Sequence, residues 1–160
     1  MSLKFITCDV IKAAKEDSRG AIIAQGVNCQ RAMGSGVALS IMTEWPIVRE
    51  QYMETEPHLG KVDYIRVIVD ELPSGDTSML VANCYTQTEY GYDGKRYGNL
   101  EAVRISLSEV FELSSKSGMP VYMPRIGCGL AGLDWNTEVL PVVEKLLVNT
   151  PGLHVYVCTL

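Results

Sequence analysis

The chain contains the glycine-rich stretch Met123-Pro124-Arg125-Ile126-Gly127-Cys128-Gly129-Leu130-Ala131-Gly132-Leu133-Asp134-Trp135. An apolar run, Val121-Tyr122-Met123, leads into it, and a helical pattern follows from about Asn136. Glycines lack the Cβ atom that would keep an anion away from the backbone, and the N–H groups at the start of a helix attract anions. The stretch therefore predicts a strand, an anion-binding loop and a helix, in that order.

A second loop of the same kind lies much earlier in the chain. The strand-like run Ala21-Ile22-Ile23-Ala24 is followed by Asn28 and then by Met33-Gly34-Ser35-Gly36-Val37. One glycine loop is a weak signal, because short glycine motifs occur in many contexts. Two such loops, each between a strand and a helix, predict one cleft that holds a diphosphate between them.

Both loops resemble those of the macro domain family, whose members bind ADP-ribose. The second loop is similar to that of the subfamily that includes the yeast ADP-ribose-1''-phosphate phosphatase and terminal ADP-ribose protein glycohydrolases. Cys8-Asp9-Val10-Ile11 matches the family's Gly-Asp-Ile motif apart from its leading residue, and Val157-Cys158-Thr159-Leu160 resembles the last strand of the subfamily. The resemblance thus extends from about residue 3 to the C-terminus.

The order of predicted elements agrees with this resemblance. Strands are expected at Leu3–Cys8, Gly20–Gly26, Met119–Met123 and Leu153–Cys158, with a hairpin formed by Asp63–Asp70 and Ser78–Tyr85 around the turn Pro73-Ser74-Gly75-Asp76. Helices are expected around residues 10–14, from Val37 with a break at Pro46, over Asn99–Ser117 with Gly118 as the stop, and from Asn136 to Val148. Alternating helices and strands predict a mixed sheet covered on both faces. We therefore expect one α/β domain over residues 1–160 with the three-layer α/β/α architecture of a macro domain.

Composition excludes several classes of protein. The 160 residues are 47% apolar and 21% charged, as in an ordinary globular domain. Because no apolar run reaches the roughly 20 residues of a membrane span, and charged residues interrupt the first 15, we expect an intracellular, cytoplasmic protein without a membrane anchor or leader. Five cysteines without a C-x-x-C pair, and two distant histidines, predict neither disulfides nor a metal site, and no cofactor is expected. The net charge of −5 argues against generic nucleic-acid binding. Separately, we expect the protein to be a monomer.

The resemblance assigns roles to particular residues. It makes the Asp9 carboxylate the acceptor for the adenine amino group, whereas spacing alone favours a helix N-cap. It places Asn28 at the distal ribose, although asparagine often stabilises its own turn. The expected ligand-binding residues are Asp9, Val10, Asn28, Met33, Gly34, Ser35, Gly36, Val37, Ile126, Gly127, Cys128, Gly129 and Leu130.

Catalytic groups are harder to find in the sequence. Cys128 lacks the arginine six residues later that a cysteine phosphatase needs, so covalent cysteine catalysis is rejected. By resemblance, Gln87 and Ala131 stand where the glycohydrolase relatives carry a lysine and an aspartate, and Lys95 is near the first position without occupying it. Asp134 is expected to cap the following helix.

Aromatic residues near the loops add little to the site assignment. Trp135 and Tyr97 are expected to pack, because aromatic residues at element ends are more often core or rim residues than ligand platforms. The adenine-stacking tyrosine of the subfamily corresponds to Cys158. Adenine stacking is therefore expected to be weak or to come from another residue.

Two classes of function remain for the sequence. The first is an enzyme, a phosphatase that acts on ADP-ribose 1''-phosphate, with Asn28 as the candidate catalytic residue and no general base identified. The second is an ADP-ribose reader without turnover. A hydrolase that removes ADP-ribose or acetyl groups from ADP-ribose adducts is a further alternative, and the expected partners are ADP-ribose, its 1''-phosphate or an ADP-ribosylated protein.

Overall fold

A six-stranded mixed sheet forms the centre of the computed structural model, which describes residues 2–72 and 75–160. The strands are β1 (Ser2–Thr7), β2 (Ile22–Asn28), β3 (Val62–Leu72), β4 (Gly75–Gln87), β5 (Val121–Met123) and β6 (His154–Thr159). Their order is β1-β6-β5-β2-β4-β3. All neighbouring strands are parallel except β3, which pairs antiparallel with β4 at one edge.

Helices cover both faces of this sheet. They are α1 (Val10–Lys15), α2 (Gly36–Glu44), α3 (Pro46–Glu54), α4 (Leu100–Ser117) and α5 (Leu140–Val148). Apolar residues of α1, α2 and α3 join one buried cluster with one face of the sheet, and those of α4 and α5 join a second cluster with the other face. The expected three-layer α/β/α arrangement with a mixed sheet is therefore confirmed.

Local sequence signals explain most element boundaries. The Asn99 side chain accepts a hydrogen bond from the Ala102 N–H at 2.9 Å and so caps α4, which ends at Gly118 with a left-handed φ of +79°. Pro46 begins α3 directly after α2, which confirms the predicted break. Strand β5 is shorter than expected, since it covers only Val121–Met123 rather than the residues from Met119 onward.

The predicted hairpin is present and longer than expected. Strands β3 and β4 pair from Val62↔Cys84 to Leu72↔Gly75, with an irregularity between Ile68 and Asp70. Of the predicted turn, Pro73 and Ser74 lie outside the described residues.

The helix predicted from Asn136 is not a continuous α-helix. Residues Trp135–Val139 form a π-helical turn, in which the Leu140 N–H donates to the Trp135 carbonyl, and the α-helix begins only at Leu140. Pro141 explains the boundary, because a proline lacks the N–H of an interior helical residue and fits the first turn of a helix instead.

Among the described residues, no helix is both long enough and apolar enough to cross a lipid bilayer. Nor does this part of the chain contain a group of three His, Cys, Asp or Glu side chains placed to hold a metal ion.

Candidate functional site

A cleft of about 530 Å³ lies at the carboxyl ends of β2, β4 and β5. Parallel neighbours β2 and β5 end at the same edge of the sheet, so the glycine loops that follow them face each other. The cleft is lined by residues 25–28, 32–38, 124–127 and 129–131. Thr86 and Gln87 at the end of β4, and Tyr90, Gly91 and Tyr92 after it, complete the lining. The two loops predicted from the sequence thus form the walls of one cleft.

Asn28 organises the first loop through its own side chain. Its Oδ1 accepts hydrogen bonds from the N–H groups of Gln30 at 2.9 Å and Ala32 at 3.3 Å, and its Nδ2 donates to the Ala32 carbonyl at 2.9 Å. These are the turn-stabilising contacts that the alternative interpretation of Asn28 predicted. The second Nδ2 proton has no recorded acceptor among the described residues, so the ligand role of Asn28 stays a prediction.

Tyr52 anchors the same loop from helix α3. Its hydroxyl, in a fully buried side chain, donates to the Asn28 carbonyl at 2.5 Å and lies 3.0 Å from Asn28 Oδ1. Burial raises the pKa of Tyr52, which keeps the hydroxyl protonated as a donor. Nothing in the sequence around Tyr52 points to this contact, because helical spacing marks a buried position and not its hydrogen-bond partner.

The end of the first loop is open to the cleft. Gly36 has a φ of +61° and begins α2, and a Cβ atom added there or at Gly34 would meet no atom within 4 Å. The N-terminal turn of α2 therefore presents its backbone N–H groups without covering side chains. Ser35 is the N-cap residue, but its hydroxyl makes no capping hydrogen bond.

Tight backbone contacts hold the second loop in place. The Ala131 carbonyl accepts hydrogen bonds from the N–H groups of Tyr97 at 2.7 Å and Gly98 at 2.8 Å. Gly132 has a φ of +84° and would bring a Cβ atom within 3.1–3.2 Å of the backbone of Lys95 and Arg96. The loop is therefore fastened to the segment that follows β4.

An ion pair reinforces this connection. Arg96 pairs with Glu138 of the π-helical turn at 2.6 Å, and the same carboxylate accepts from the Asp134 N–H at 3.0 Å. Asp134 stands at the expected cap position, but its own carboxylate accepts from the Thr137 hydroxyl at 2.7 Å rather than from a backbone N–H.

Most of the predicted ligand-binding residues line the cleft. They are Asn28, Met33, Gly34, Ser35, Gly36, Val37, Ile126, Gly127, Gly129 and Leu130. Asp9, Val10 and Cys128 are not among the lining residues. The Asp9 carboxylate caps α1 by accepting from the N–H groups of Ile11 at 2.8 Å and Lys12 at 3.1 Å, and the Val10 side chain is buried in the core.

Cys128 has the properties of a structural thiol. It is half-buried and its Sγ lies 3.4 Å from the Ile126 carbonyl oxygen. Burial, with a smaller contribution from the nearby Asp134 carboxylate, raises the pKa of Cys128 to about 11. Since the nucleophile is the thiolate, Cys128 is poorly suited to attack at neutral pH.

Gln87 and Ala131, which the resemblance aligns with a lysine and an aspartate of the glycohydrolases, both line the cleft. Gln87 Nε2 donates to the Glu89 carbonyl at 2.7 Å, and Ala131 offers only a methyl group. Lys95 is not a lining residue, since it is exposed and its Nζ lies 3.6 Å from the Asp93 carboxylate.

Gln25, Thr86, Tyr90 and Tyr92 also line the cleft, and no sequence motif marks them. Gln25 and Asn83 are buried neighbours on β2 and β4, with Gln25 Nε2 donating to Asn83 Oδ1 at 2.8 Å, and Thr86 is fully buried. Tyr90 and Tyr92 are exposed at the rim, with their rings edge to face at 6.5 Å. The polar residues fall within apolar strand runs and the tyrosines within a loop, so neither has a periodic signal.

Trp135 and Tyr97 pack as expected. Trp135 is 5% exposed, and Phe5 contacts it edge-on with ring centroids 6.4 Å apart. The Tyr97 hydroxyl donates to the Asp93 carboxylate at 2.8 Å.

Known proteins with similar sequences and structures include a phage protein and several bacterial domains. No protein-family model matches the chain. It is 32% identical over 150 residues to an uncharacterized 17.5 kDa protein from the tk-vs intergenic region of Enterobacteria phage T4, and this match covers 92% of the chain and 88% of the phage protein. A Bacteroides thetaiotaomicron protein of unknown function is 27% identical, with a TM-score of 0.77 and coverage of 100% of this chain and 99% of that one.

Two further solved structures identify the fold. A Streptomyces coelicolor macrodomain protein has a TM-score of 0.75 at 23% identity, with 99% of both chains covered. Thermosipho africanus DarTG, solved in complex with ADP-ribose, has a TM-score of 0.69 at 20% identity, covering 89% of this chain and 39% of that one. The chain therefore has the macrodomain fold and belongs to the same family as the 17.5 kDa tk-vs protein of phage T4.

Proposed function

We propose that the chain binds ADP-ribose in the cleft between its two glycine loops. The observation that carries this proposal is the convergence of both loops on one cleft of about 530 Å³, with open backbone at Gly34, Gly36 and Gly129. The ADP-ribose complex of T. africanus DarTG, which has the same fold, supports it.

The chemistry of the walls suits a diphosphate flanked by sugars. Backbone N–H groups at the start of α2 can hold phosphate oxygens without any side-chain charge. The free Nδ2 proton of Asn28 and the hydroxyls of Tyr90 and Tyr92 are available for ribose hydroxyls, and aromatic rings also suit the apolar face of a sugar or base.

Asp9 is the proposed contact for adenine. Its Oδ1 caps α1, whereas its Oδ2 has no hydrogen bond among the described residues and can accept from an amino group. Asp9→Ala should lower the affinity for ADP-ribose more than the affinity for ribose 5-phosphate, which has no adenine. Calorimetry with both ligands measures this difference. Equal losses for the two ligands would leave Asp9 with its capping role alone.

The proposed activity of this site is release of phosphate from ADP-ribose 1''-phosphate. No carboxylate, imidazole or amine lines the cleft in the described part of the chain, so the walls offer positioning and charge stabilisation rather than a general base. We therefore expect a rate without a bell-shaped pH profile, changing mainly where the substrate phosphate ionises, near pH 6.

The same lack of a base among the described lining residues keeps an ADP-ribose reader without turnover as the second candidate function. Removal of ADP-ribose from glutamate by the lysine and aspartate of the glycohydrolase relatives is disfavoured, because Gln87 and Ala131 stand at those positions in the wall. Gln87 cannot form a lysyl adduct with a sugar carbon.

One pair of experiments tests the proposal. Calorimetry should give micromolar affinity for ADP-ribose and weaker binding for adenosine, which lacks the diphosphate. Incubation with ADP-ribose 1''-phosphate and a phosphate assay then separates enzyme from reader, since tight binding without phosphate release supports the reader. Absence of ADP-ribose binding by the folded protein would contradict the proposed function altogether.

A further inference from the structure

Arg125 is the one charged residue among the described residues that line the cleft. The chain has 19 acidic and 14 basic residues, and three other arginines form ion pairs with carboxylates, namely Arg19, Arg96 and Arg104. Arg125 is exposed and forms no ion pair with a carboxylate of the described chain. In an acidic protein, a cleft-lining residue whose guanidinium has no carboxylate partner among the described residues is suited to an anionic ligand.

Trp135 holds this guanidinium in place. The Arg125 Cζ lies 5.9 Å from the centroid of the Trp135 ring, and Phe5 contacts the same ring from the side. An arginine that packs its planar face on an aromatic ring keeps the N–H groups at its edge free for phosphate oxygens. The adjacent Ile126 is 2% exposed and anchors the backbone of the loop in the core.

Arg125 also stands where two hollows meet. A neighbouring hollow of about 460 Å³ shares Arg125 and Gly129 with the main cleft and is otherwise lined by Cys128, Leu133, Asp134, Trp135 and Asn136. An anion in the main cleft near Gly129 is therefore within the region that the Arg125 side chain borders.

We propose that Arg125 is a specificity-determining residue whose guanidinium pairs with the ligand's phosphate groups. This inference rests on the proposed binding of ADP-ribose. Backbone N–H groups supply hydrogen bonds without net charge, whereas a guanidinium adds charge-assisted, bidentate hydrogen bonds that are about twice as strong as neutral ones. Arg125 thus selects diphosphate ligands over uncharged nucleosides.

Calorimetry on the full chain tests this role at low and at high salt. At low salt, Arg125→Gln should lower the affinity for ADP-ribose about tenfold and leave the affinity for adenosine unchanged, because only ADP-ribose carries phosphates. Salt should weaken ADP-ribose binding to the wild type more than to Arg125→Gln, since screening acts on the charge pair. The affinity of Arg125→Lys for ADP-ribose should lie between those of the wild type and Arg125→Gln, because lysine keeps the charge but cannot form the bidentate hydrogen bonds of a guanidinium. Arg66→Gln, at an exposed position on β3 outside the cleft, is the matched control and should bind like the wild type.

Two results would overturn the role of Arg125 while leaving the proposed function intact. One is unchanged ADP-ribose affinity in Arg125→Gln at low salt. The other is an equal loss for adenosine and ADP-ribose together with a lower free energy of unfolding in urea, which would mean that Arg125 only packs on Trp135.

Inorganic pyrophosphate separates the two proposals. If the wild type binds pyrophosphate in an Arg125-dependent way but does not bind ADP-ribose, the proposed function fails and the role of Arg125 stands. If the wild type binds neither ligand, both proposals fail.

Discussion

Gly26 and Thr86 meet at the floor of the cleft, on the adjacent strands β2 and β4. A Cβ atom on Gly26 would lie 2.7 Å from Thr86 Oγ1, although ordinary contacts begin at 3.4 Å. One of the two groups must therefore retreat by about 0.7 Å, which is the difference between these distances. The next neighbour, Ile126 Cγ2, would be at an ordinary 3.5 Å, so the strain of Gly26→Ala falls on Thr86 alone.

Thr86 has little freedom to retreat. It is fully buried, and a β-branched side chain has few accessible rotamers. Overpacking of this kind costs about 1–3 kcal/mol. We expect Gly26→Ala to lower the free energy of unfolding by about 2 kcal/mol and to disturb the cleft that both residues line.

A double-mutant cycle in urea measures this strain. Thr86→Ala alone should cost only about 1 kcal/mol, since the buried Thr86 hydroxyl has no recorded hydrogen-bond partner whose loss would add to the cost. In the Thr86→Ala background, Gly26→Ala should cost less than about 0.5 kcal/mol, which gives a coupling of over 1 kcal/mol. Gly34→Ala, where a Cβ meets no atom within 4 Å, is the control for the loss of a glycine. An equal cost of Gly26→Ala in both backgrounds would refute the steric explanation.

Three other changes have definite expected results. Gly36→Glu should abolish ADP-ribose binding measured by calorimetry, because its carboxylate would enter the open end of the first loop, and Gly36→Ala, equally strained at a φ of +61°, controls for backbone effects; a folded Gly36→Glu variant with unchanged affinity would exclude the loop as the anion site. Hydrogen bonds from Arg19, opposed by burial, hold the pKa of Asp17 at about 2, below its ordinary 3.8. Because solvent screens this pair, Asp17 is expected to stabilise the fold by roughly 1 kcal/mol above pH 4 and to lose this contribution as the pH falls towards 2. Urea unfolding across this range should show a shallower pH dependence for Asp17→Asn, and parallel curves would contradict the assignment. Tyr52→Phe should lower the free energy of unfolding by about 1–2 kcal/mol and weaken the binding of ADP-ribose, because it removes the hydrogen bond to Asn28. Tyr85→Phe should do neither, since the Tyr85 hydroxyl has no partner among the described residues. Similar losses in both variants would argue against a specific anchor at Asn28.

The sequence predicted the layers of the fold because each element carries a local signal. These signals are the spacing of apolar residues and the residues that start or stop helices, and each acts within a few positions. Examples are the Asn99 cap, the Gly118 stop and the Pro46 break. The glycine loops were predicted for the same reason, since a glycine loop between a strand and a helix is a contiguous motif. Their convergence on one cleft followed from the rule that parallel strands end at a common edge.

Other features depend on contacts between distant parts of the chain. The π-helical turn at Trp135–Val139 carries Glu138, whose ion pair with Arg96 joins residues 42 positions apart. Gln25 and Asn83 form their amide hydrogen bond because the register of β2 and β4 places them opposite each other. This register shifts between Val27 and Asn28. A single sequence shows neither the register nor the partner of a buried amide, so it predicts only that Gln25 and Asn83 lie in strands.

The two loops that form the cleft follow strands that are paired over only a short length, and this has a thermodynamic consequence. Strands β2 and β5, which carry the two loops, are paired through only Ile22↔Val121 and Ile23↔Tyr122, and the residues they join are about 100 positions apart in the chain. The two loops cannot form one cleft until the chain has closed that long connection, so a molecule that fills the cleft binds the native state and not the unfolded chain. Ligand binding and global unfolding are therefore linked, and the unfolding free energy rises with free ligand as RT ln(1 + [L]/Kd). The denaturation midpoint, followed as a function of ligand concentration, is in effect a second affinity measurement that needs no label and no turnover.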